Sequence, residues 1–247
     1  MKFRLQYYDE LESTNAAADK AAANSAVEGT VIIAARQMAG HGRKQRVWNS
    51  PVGGLWFSII LRPNIAPQYA AQMTLLAGVA VNVALRKLYA TDKVMIKWPN
   101  DLLLDGKKIC GILSELKLDE KGEIDYVVIG IGINVALKKS DFPKELQDQA
   151  VGLNYELGRE FTCDEVLSEV LKSIDALYCR WINYGSEELI SLWNKLNCTL
   201  GNVVKVKDND QVIFTGTAIR IDEEGALVVQ DKNGIMQTFN FGEISVR

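Results

Sequence analysis

Two glycines one residue apart, followed at once by three cations, form the stretch of this chain best suited to chemistry: Gly40-His41-Gly42-Arg43-Lys44-Gln45-Arg46-Val47-Trp48. Glycines so placed let the backbone turn tightly and aim N–H groups inward. Arginines beside them offer paired donors that match phosphate or carboxylate oxygens. These residue types fit an anion cradle for a triphosphate or acyl-phosphate; they also fit a solvated basic surface loop or a nucleic-acid contact. No G-x-x-x-x-G-K-[ST] occurs, and Gly40-x-Gly42 and Gly130-x-Gly132 both lack the third glycine of a dinucleotide fingerprint, so familiar nucleotide-binding motifs are excluded.

Three further segments carry polar groups at places a fold could make exact. In Lys97-Trp98-Pro99-Asn100-Asp101 a lysine precedes a proline-fixed turn, which would hold its ammonium at one spot and suit a carboxylate or phosphate. A surface lysine with turn residues behind it is the plainer alternative. Gly111 inside Lys107-Lys108-Ile109-Cys110-Gly111-Ile112-Leu113-Ser114-Glu115 suggests either close approach of a ligand or backbone, or a bend in a strand. Gly130-Ile131-Gly132-Ile133-Asn134 ends a glycine-marked strand in an amide that could anchor a ligand or cap the strand. Cys110, Cys163, Cys179 and Cys198 form no C-x-x-C pair, and His41 has no Cys or carboxylate neighbour at metal-ligand spacing, so no metal site is expected.

The elements that must position these residues follow from periodicity. Ser13-Thr14-Asn15 before an alanine-rich run predicts a capped helix over 16–23, and 31–35 reads as a short buried strand. Residues 37–51 read as a loop, Leu55–Leu61 as a strand, and 68–89 as a nearly all-apolar buried helix. Strands are expected over Val94–Lys97, 102–104, 108–116 and 126–135, with Asp105-Gly106 as a hairpin turn. The capping box Thr162-x-x-Glu165 opens a long helix, and Glu187–Leu196 a second. From residue 201 short β-rich runs are divided by Asp208-Asn209-Asp210, Glu223-Glu224-Gly225 and Lys232-Asn233-Gly234, the pattern of a small barrel of about five strands.

With 247 residues, 48% apolar and 24% charged, the chain matches a globular protein of one large domain, or a large and a small one. A net charge of −3 argues against broad affinity for nucleic acid. Without a signal peptide or an apolar run able to span a bilayer, a cytoplasmic protein with no membrane partner is expected.

In their order and spacing the segments resemble the biotin–protein ligase family. The matching pieces are Ser13-Thr14-Asn15, then Gln37-Met38-Ala39-Gly40-His41-Gly42-Arg43-Lys44-Gln45-Arg46-x-Trp48-x-Ser50-Pro51-x-Gly53-Gly54-Leu55, Lys97-Trp98-Pro99-Asn100-Asp101, Gly111-Ile112-Leu113-x-Glu115 and Gly130-Ile131-Gly132-x-Asn134. The likeness covers most of residues 11–134. It implies an α+β fold: a mixed β-sheet flanked by helices, like class II synthetases and the biotin/lipoate ligases, over 1–198, then an SH3-like β-barrel over 199–247. The implied reaction activates biotin with ATP and Mg²⁺ to biotinyl-5′-AMP, releases pyrophosphate, and passes biotin to a lysine of a biotin carboxyl carrier domain. No prosthetic group is implied, and the family includes monomers and homodimers.

The resemblance also assigns roles. Lys97 and Arg43 would be catalytic, Lys97 holding the biotin carboxylate and α-phosphate and Arg43 the adenylate. Biotin would meet Ser13, Thr14, Asn15 and Gln37, with Gly40, His41, Gly42, Gly111, Ile112 and Leu113 around its remainder. Lys44, Arg46, Trp48, Asn100 and Asn134 would join Arg43 at the nucleotide. Charge developing on phosphate oxygens calls for such cations and needs no covalent enzyme intermediate. An ordered loop must then keep water from the anhydride.

Two departures matter. The family loop reads G-R-G-R-x-G-R, whereas here His41 replaces an arginine and Gln45 a glycine, which implies looser retention of the adenylate. The Ser-Thr-Asn motif begins at position 13, which leaves no expected place for the N-terminal DNA-binding domain that some relatives carry. Rival readings are a lipoate- or octanoate-protein ligase, a nucleic-acid-binding regulator, and a catalytically idle biotin-binding protein.

Overall fold

A computed structural model describes residues 1–208, 211–240 and 243–246; Asn209 and Asp210 of the expected turn, and Arg247, lie outside the described residues. In chain order the elements are β1 (Arg4–Leu11), α1 (Thr14–Ala23), β2 (Thr30–Gln37), β3 (Leu55–Leu61), α2 (Ala71–Tyr89), β4 (Val94–Lys97), β5 (Asp101–Leu104), β6 (Lys107–Leu118) and β7 (Ile124–Ile133). They continue with α3 (Leu153–Leu157), α4 (Cys163–Tyr184), α5 (Glu187–Leu196), β8 (Val203–Asp208), β9 (Gln211–Ile221), β10 (Leu227–Gln230), β11 (Met236–Phe239) and β12 (Glu243–Val246).

The first seven strands form one sheet in the order β1-β2-β3-β7-β6-β5-β4. Only β1 and β2 run parallel; the other pairs are antiparallel, so the sheet is mixed as expected. β3 is buried at all seven positions because helices cover both its faces, which is why its sequence is almost unbroken apolar. On one face α1 packs Ala18 and Ala22 on Ile32, Ile60 and Val128. On the other lies α2, held between the sheet and α4. Side chains alternate along β7, so Ile129, Ile131 and Ile133 enter that second core while Gly130, Gly132 and Asn134 face the α1 side.

Several boundaries differ from the sequence reading. α1 begins at Thr14 rather than 16, since Ser13 itself is the cap and its Oγ accepts from Ala16 N at 3.4 Å. Strand β1 escaped the reading: it is an edge strand exposed along nearly its whole length, so no burial periodicity marks it. Residues 67–69 form a separate turn before α2. That turn and helix, Pro67–Tyr89, are long and apolar enough to cross a bilayer, which corrects the earlier reading; two-thirds of the span is buried inside the fold, as in a core helix. The Asp105-Gly106 turn is as expected, both residues having positive φ (47° and 82°).

The terminal strands pair antiparallel as a second sheet, β11-β10-β9-β8-β12, an SH3-like unit. Its turns are built by aspartates: Asp222 Oδ1 accepts from Glu224 N and Ala226 N, and Asp231 Oδ1 from Asn233 N and Ile235 N. The two sheets share one apolar core, in which Val204, Leu227, Val229 and Phe239 join Trp98, Trp193 and the strands of the first sheet. Polar contacts fasten the seam. Trp98 N donates to Thr199 Oγ1 at 3.0 Å, Trp98 Nε1 to Gly225 O at 3.3 Å, and the Gln72 amide to Glu223 O.

Candidate functional site

Two rows that carry glycines cross the sheet and set the site. Strand register aligns Ser58, Gly130 and Leu113 in one row and Trp56, Gly132 and Gly111 in the next. A Cβ on Gly130 would overlap the Asn15 amide, so the first row is the floor on which the start of α1 rests. In the second row a Cβ on Gly132 would stand 2.5 Å from Trp48 Nε1, and one on Gly111 3.0 Å from the same ring. The indole therefore lies directly on backbone. Between and above these rows opens a cleft of about 610 Å³, within the range of small-molecule sites.

At the α1 end the cleft is lined by a continuous hydrogen-bond chain. Gln37 Oε1 accepts from Thr14 N at 2.8 Å, and Gln37 Nε2 donates to Ser50 Oγ at 2.8 Å. Thr14 Oγ1 and Ser58 Oγ are 2.8 Å apart, Ser58 Oγ donates to Asn15 Oδ1 at 2.6 Å, and Asn15 Nδ2 donates to Glu115 Oε2 at 2.6 Å. Thr14 Oγ1 also lies 3.1 Å from Gln37 Oε1, to which it donates, so the Thr14 hydroxyl joins Gln37 to Ser58. Each amide thus has a partner at both its oxygen and its nitrogen. His41 Nε2 comes within 4.0 Å of Glu115 Oε1, a carboxylate contact that spacing along the chain did not reveal.

The middle of the cleft is cationic. Lys97 ends β4 and stands before the cis Trp98–Pro99 bond, as the turn reading expected of its position. Arg43, Arg46 and Lys108 also line the cleft, against Asp101 and Asp148. Those two carboxylates already face lysines: Lys108 Nζ is 2.6 Å from Asp101, and Lys139 Nζ 2.8 Å from Asp148. Lys108 Nζ also lies 4.9 Å from the Trp48 ring centroid. The far end is apolar, with Trp48, Trp56, Leu137, Phe142, Leu146 and Ala150 in one cluster. Trp48 Nε1 is buried there with no hydrogen-bond partner among the described residues.

Of the residues singled out from sequence, Ser13, Thr14, Asn15, Gln37, His41, Gly42, Arg43, Arg46, Trp48, Lys97, Asn100, Gly111, Ile112, Leu113 and Asn134 all line this one cleft. Gly40 and Lys44 do not. Gly40 lies beneath the loop, where a Cβ would meet Ser50 Oγ and Trp48 O at 2.8 Å. Lys44 turns away to Asp208 of β8, 2.7 Å distant. Asn100 spends its amide on β6, Nδ2 donating to Ile112 O at 2.8 Å, and Asn134 Nδ2 donates to Lys108 O at 3.3 Å. Sequence reasoning missed Ser58, Lys108, Phe142 and Leu146. Ser58 alone left a trace, as the one hydroxyl in a wholly buried seven-residue strand. Among the described residues no group of acidic, Cys or His side chains could hold a metal ion.

A donor-rich end, a cationic middle and an aromatic end, on a mixed sheet beside an SH3-like unit, define an acyl-activating ligase scaffold. The chain belongs to the biotin/lipoate A/B protein ligase family, which matches residues 7–134, while residues 199–247 match the biotin protein ligase C-terminal domain. It is 38% identical over 237 residues to the bifunctional ligase/repressor BirA of Bacillus subtilis, covering 96% of this chain and 72% of that protein. To the biotin–[acetyl-CoA-carboxylase] ligase of Paracoccus denitrificans it is 30% identical, covering 90% of this chain and 92% of that one. The biotin protein ligase of Aquifex aeolicus, solved in complex with biotin and ATP, superposes with a TM-score of 0.82 at 29% identity, over 99% and 98% of the two chains.

Proposed function

We propose that this chain is a biotin–protein ligase using biotin and Mg·ATP, with a biotin carboxyl carrier domain as acceptor. The observation that carries the reading is one cleft in which a pre-oriented amide chain, a cluster of cations and an aromatic pocket follow one another in line. Thr14, Asn15 and Gln37, backed by Ser58 and Glu115, present donors and acceptors suited to a ureido ring. Lys97 and Arg43 line the same cleft and on this reading would meet the carboxylate and α-phosphate. Trp48, Phe142 and Leu146 suit adenine.

In the first step a biotin carboxylate oxygen attacks the α-phosphorus and pyrophosphate leaves, giving the mixed anhydride. Lys97 and Arg43 stabilise the charge that builds on the phosphate oxygens. In the second step the acceptor lysine amine attacks the anhydride carbonyl and AMP leaves. On this reading residues 1–198 carry the chemistry, and 199–247 hold the turn after Lys97 in place through Thr199 and Gly225. The test is pyrophosphate release that depends on biotin and Mg·ATP, with Lys97→Ala in parallel and a carrier domain added for the second step. Turnover with lipoate or octanoate instead of biotin would overturn the assignment.

A further inference from the structure

Among the described residues an ion pair ties the basic loop to the terminal sheet. Lys44 leaves the cleft, and its Nζ reaches Asp208 Oδ1 at the end of β8, 2.7 Å away and 164 residues along the chain. The backbone that sends it there is unfavourable: Lys44 and Gln45 both have positive φ, 55° and 58°, a conformation that L-residues with a Cβ adopt at a cost. Flanking them, Gly42 N donates to Arg46 O at 2.8 Å, which closes the loop into a tight hairpin. The anchor is firm. β8 lies inside the terminal sheet between β9 and β12, and that sheet shares its core with the first and is bonded to Trp98.

We propose that Asp208 is a positioning residue for the loop: through Lys44 the terminal sheet holds Arg43 and Arg46 over the cleft and slows escape of the acyl-adenylate. This rests on the ligase reading above. Neither Lys44 nor Asp208 itself lines the cleft, so the pair acts on closure and not on the reacting atoms. Both side chains are about one-third exposed, 33% for Lys44 and 38% for Asp208, so the effect is modest and screened by salt.

The experiment uses the full chain carrying preformed, labelled biotinyl-AMP, chased with unlabelled biotin and ATP at low and high ionic strength. Asp208→Asn should release the adenylate about two- to five-fold faster at low salt, the range an exposed ion pair supports, and the gap should narrow at high salt. The exchange variant Lys44→Asp with Asp208→Lys should recover part of the retention, while the first pyrophosphate burst of Asp208→Asn stays within about two-fold of wild type. A second measurement is independent of the chemistry: tryptic cleavage after Arg43, Lys44 or Arg46 in the ligand-free chain should be faster in Asp208→Asn. Wild-type release and wild-type cleavage in Asp208→Asn would overturn the proposal, as would a faster release equal at all salt concentrations and accompanied by a lowered Tm. Absence of any biotin-dependent adenylate in the wild type would instead overturn the ligase reading, with the cleavage assay still deciding whether the pair holds the loop.

Discussion

Trp48 Nε1 stands 2.5 Å from the position a Cβ would take on Gly132, so the indole rests on the backbone of β7 with no room for a methyl group between them. Two residues earlier, Gly130 does the same for the Asn15 amide. The two glycines therefore support opposite ends of the cleft. Gly132→Ala should raise the KM for ATP by about ten-fold or more while biotin affinity changes little. Gly130→Ala should show the reverse. Calorimetric titration with each substrate separately checks the split, and equal damage to both substrates by either variant would contradict it.

Ser58 is fully buried and links Thr14 to Asn15. Ser58→Ala leaves the Asn15 carbonyl without its donor, a loss of about 1–3 kcal/mol. Biotin affinity should fall about ten-fold, and chemical denaturation should show a lowered midpoint with an unchanged slope.

Lys97 projects into the cleft from the end of β4 and is only partly buried. Its removal leaves little of the core disturbed. Lys97→Ala should lower the first-step rate by about 10²–10³-fold while stability changes by no more than about 0.5 kcal/mol. A rapid-quench measurement of adenylate formation, set beside a thermal melt, separates the two effects.

Much of this arrangement was legible in the sequence, and the reasons are local. The alternation Ile129, Gly130, Ile131, Gly132, Ile133, Asn134 announces a strand with one apolar face and one bare face, and Thr162 with Glu165 announces a helix start; both are short-range patterns. From sequence Gly111 fits either a close approach or a bend in a strand; that the approaching group is Trp48, sixty-three positions earlier, is not legible there, because only the fold brings the two together. Lys44 shows the same limit. Its charge suggested a phosphate ligand, whereas its direction is set by two left-handed backbone angles and by a partner in another sheet. Phe142 and Leu146 sit in a stretch of short turns whose role comes from the β6 contact of Lys108 with Gln149 and Val151. No periodicity marks such a stretch.

Gln45 occupies a left-handed conformation at a position where the family loop carries glycine. Gln45→Gly relieves about 1 kcal/mol of backbone strain in the closed loop. Adenylate release should slow by about two- to five-fold, as followed by chase of the labelled intermediate. Faster release would mean that the added freedom of the open loop outweighs the relief.

Alkaline conditions should weaken the fold in a defined direction. Burial pushes the Cys163 thiol up to about 11 from its ordinary 9.0, and raises Cys110, Tyr89 and Tyr178 as well. The unfolded chain loses these protons first, so stability is complete below pH 9 and declines as the pH rises through 9 to 11 and beyond. Melts at successive pH values should show Tm falling over that window, and Cys163→Ala should make the fall shallower. Thiol labelling at neutral pH should reach exposed Cys179 first and buried Cys110 last.

Lys97 and Trp98 are adjacent in the chain, and Trp98 is bonded through its main chain to Thr199, ahead of β8, and through its ring to Gly225, in the turn between β9 and β10. Any breathing of the seam between the sheets therefore arrives, one peptide bond later, at the ammonium that must stay in register with a phosphate. Warming that loosens this seam will misplace Lys97 while both sheets are still intact. Activity should then fade at a temperature several degrees below the melt, with the seam acting as the molecule's thermal fuse.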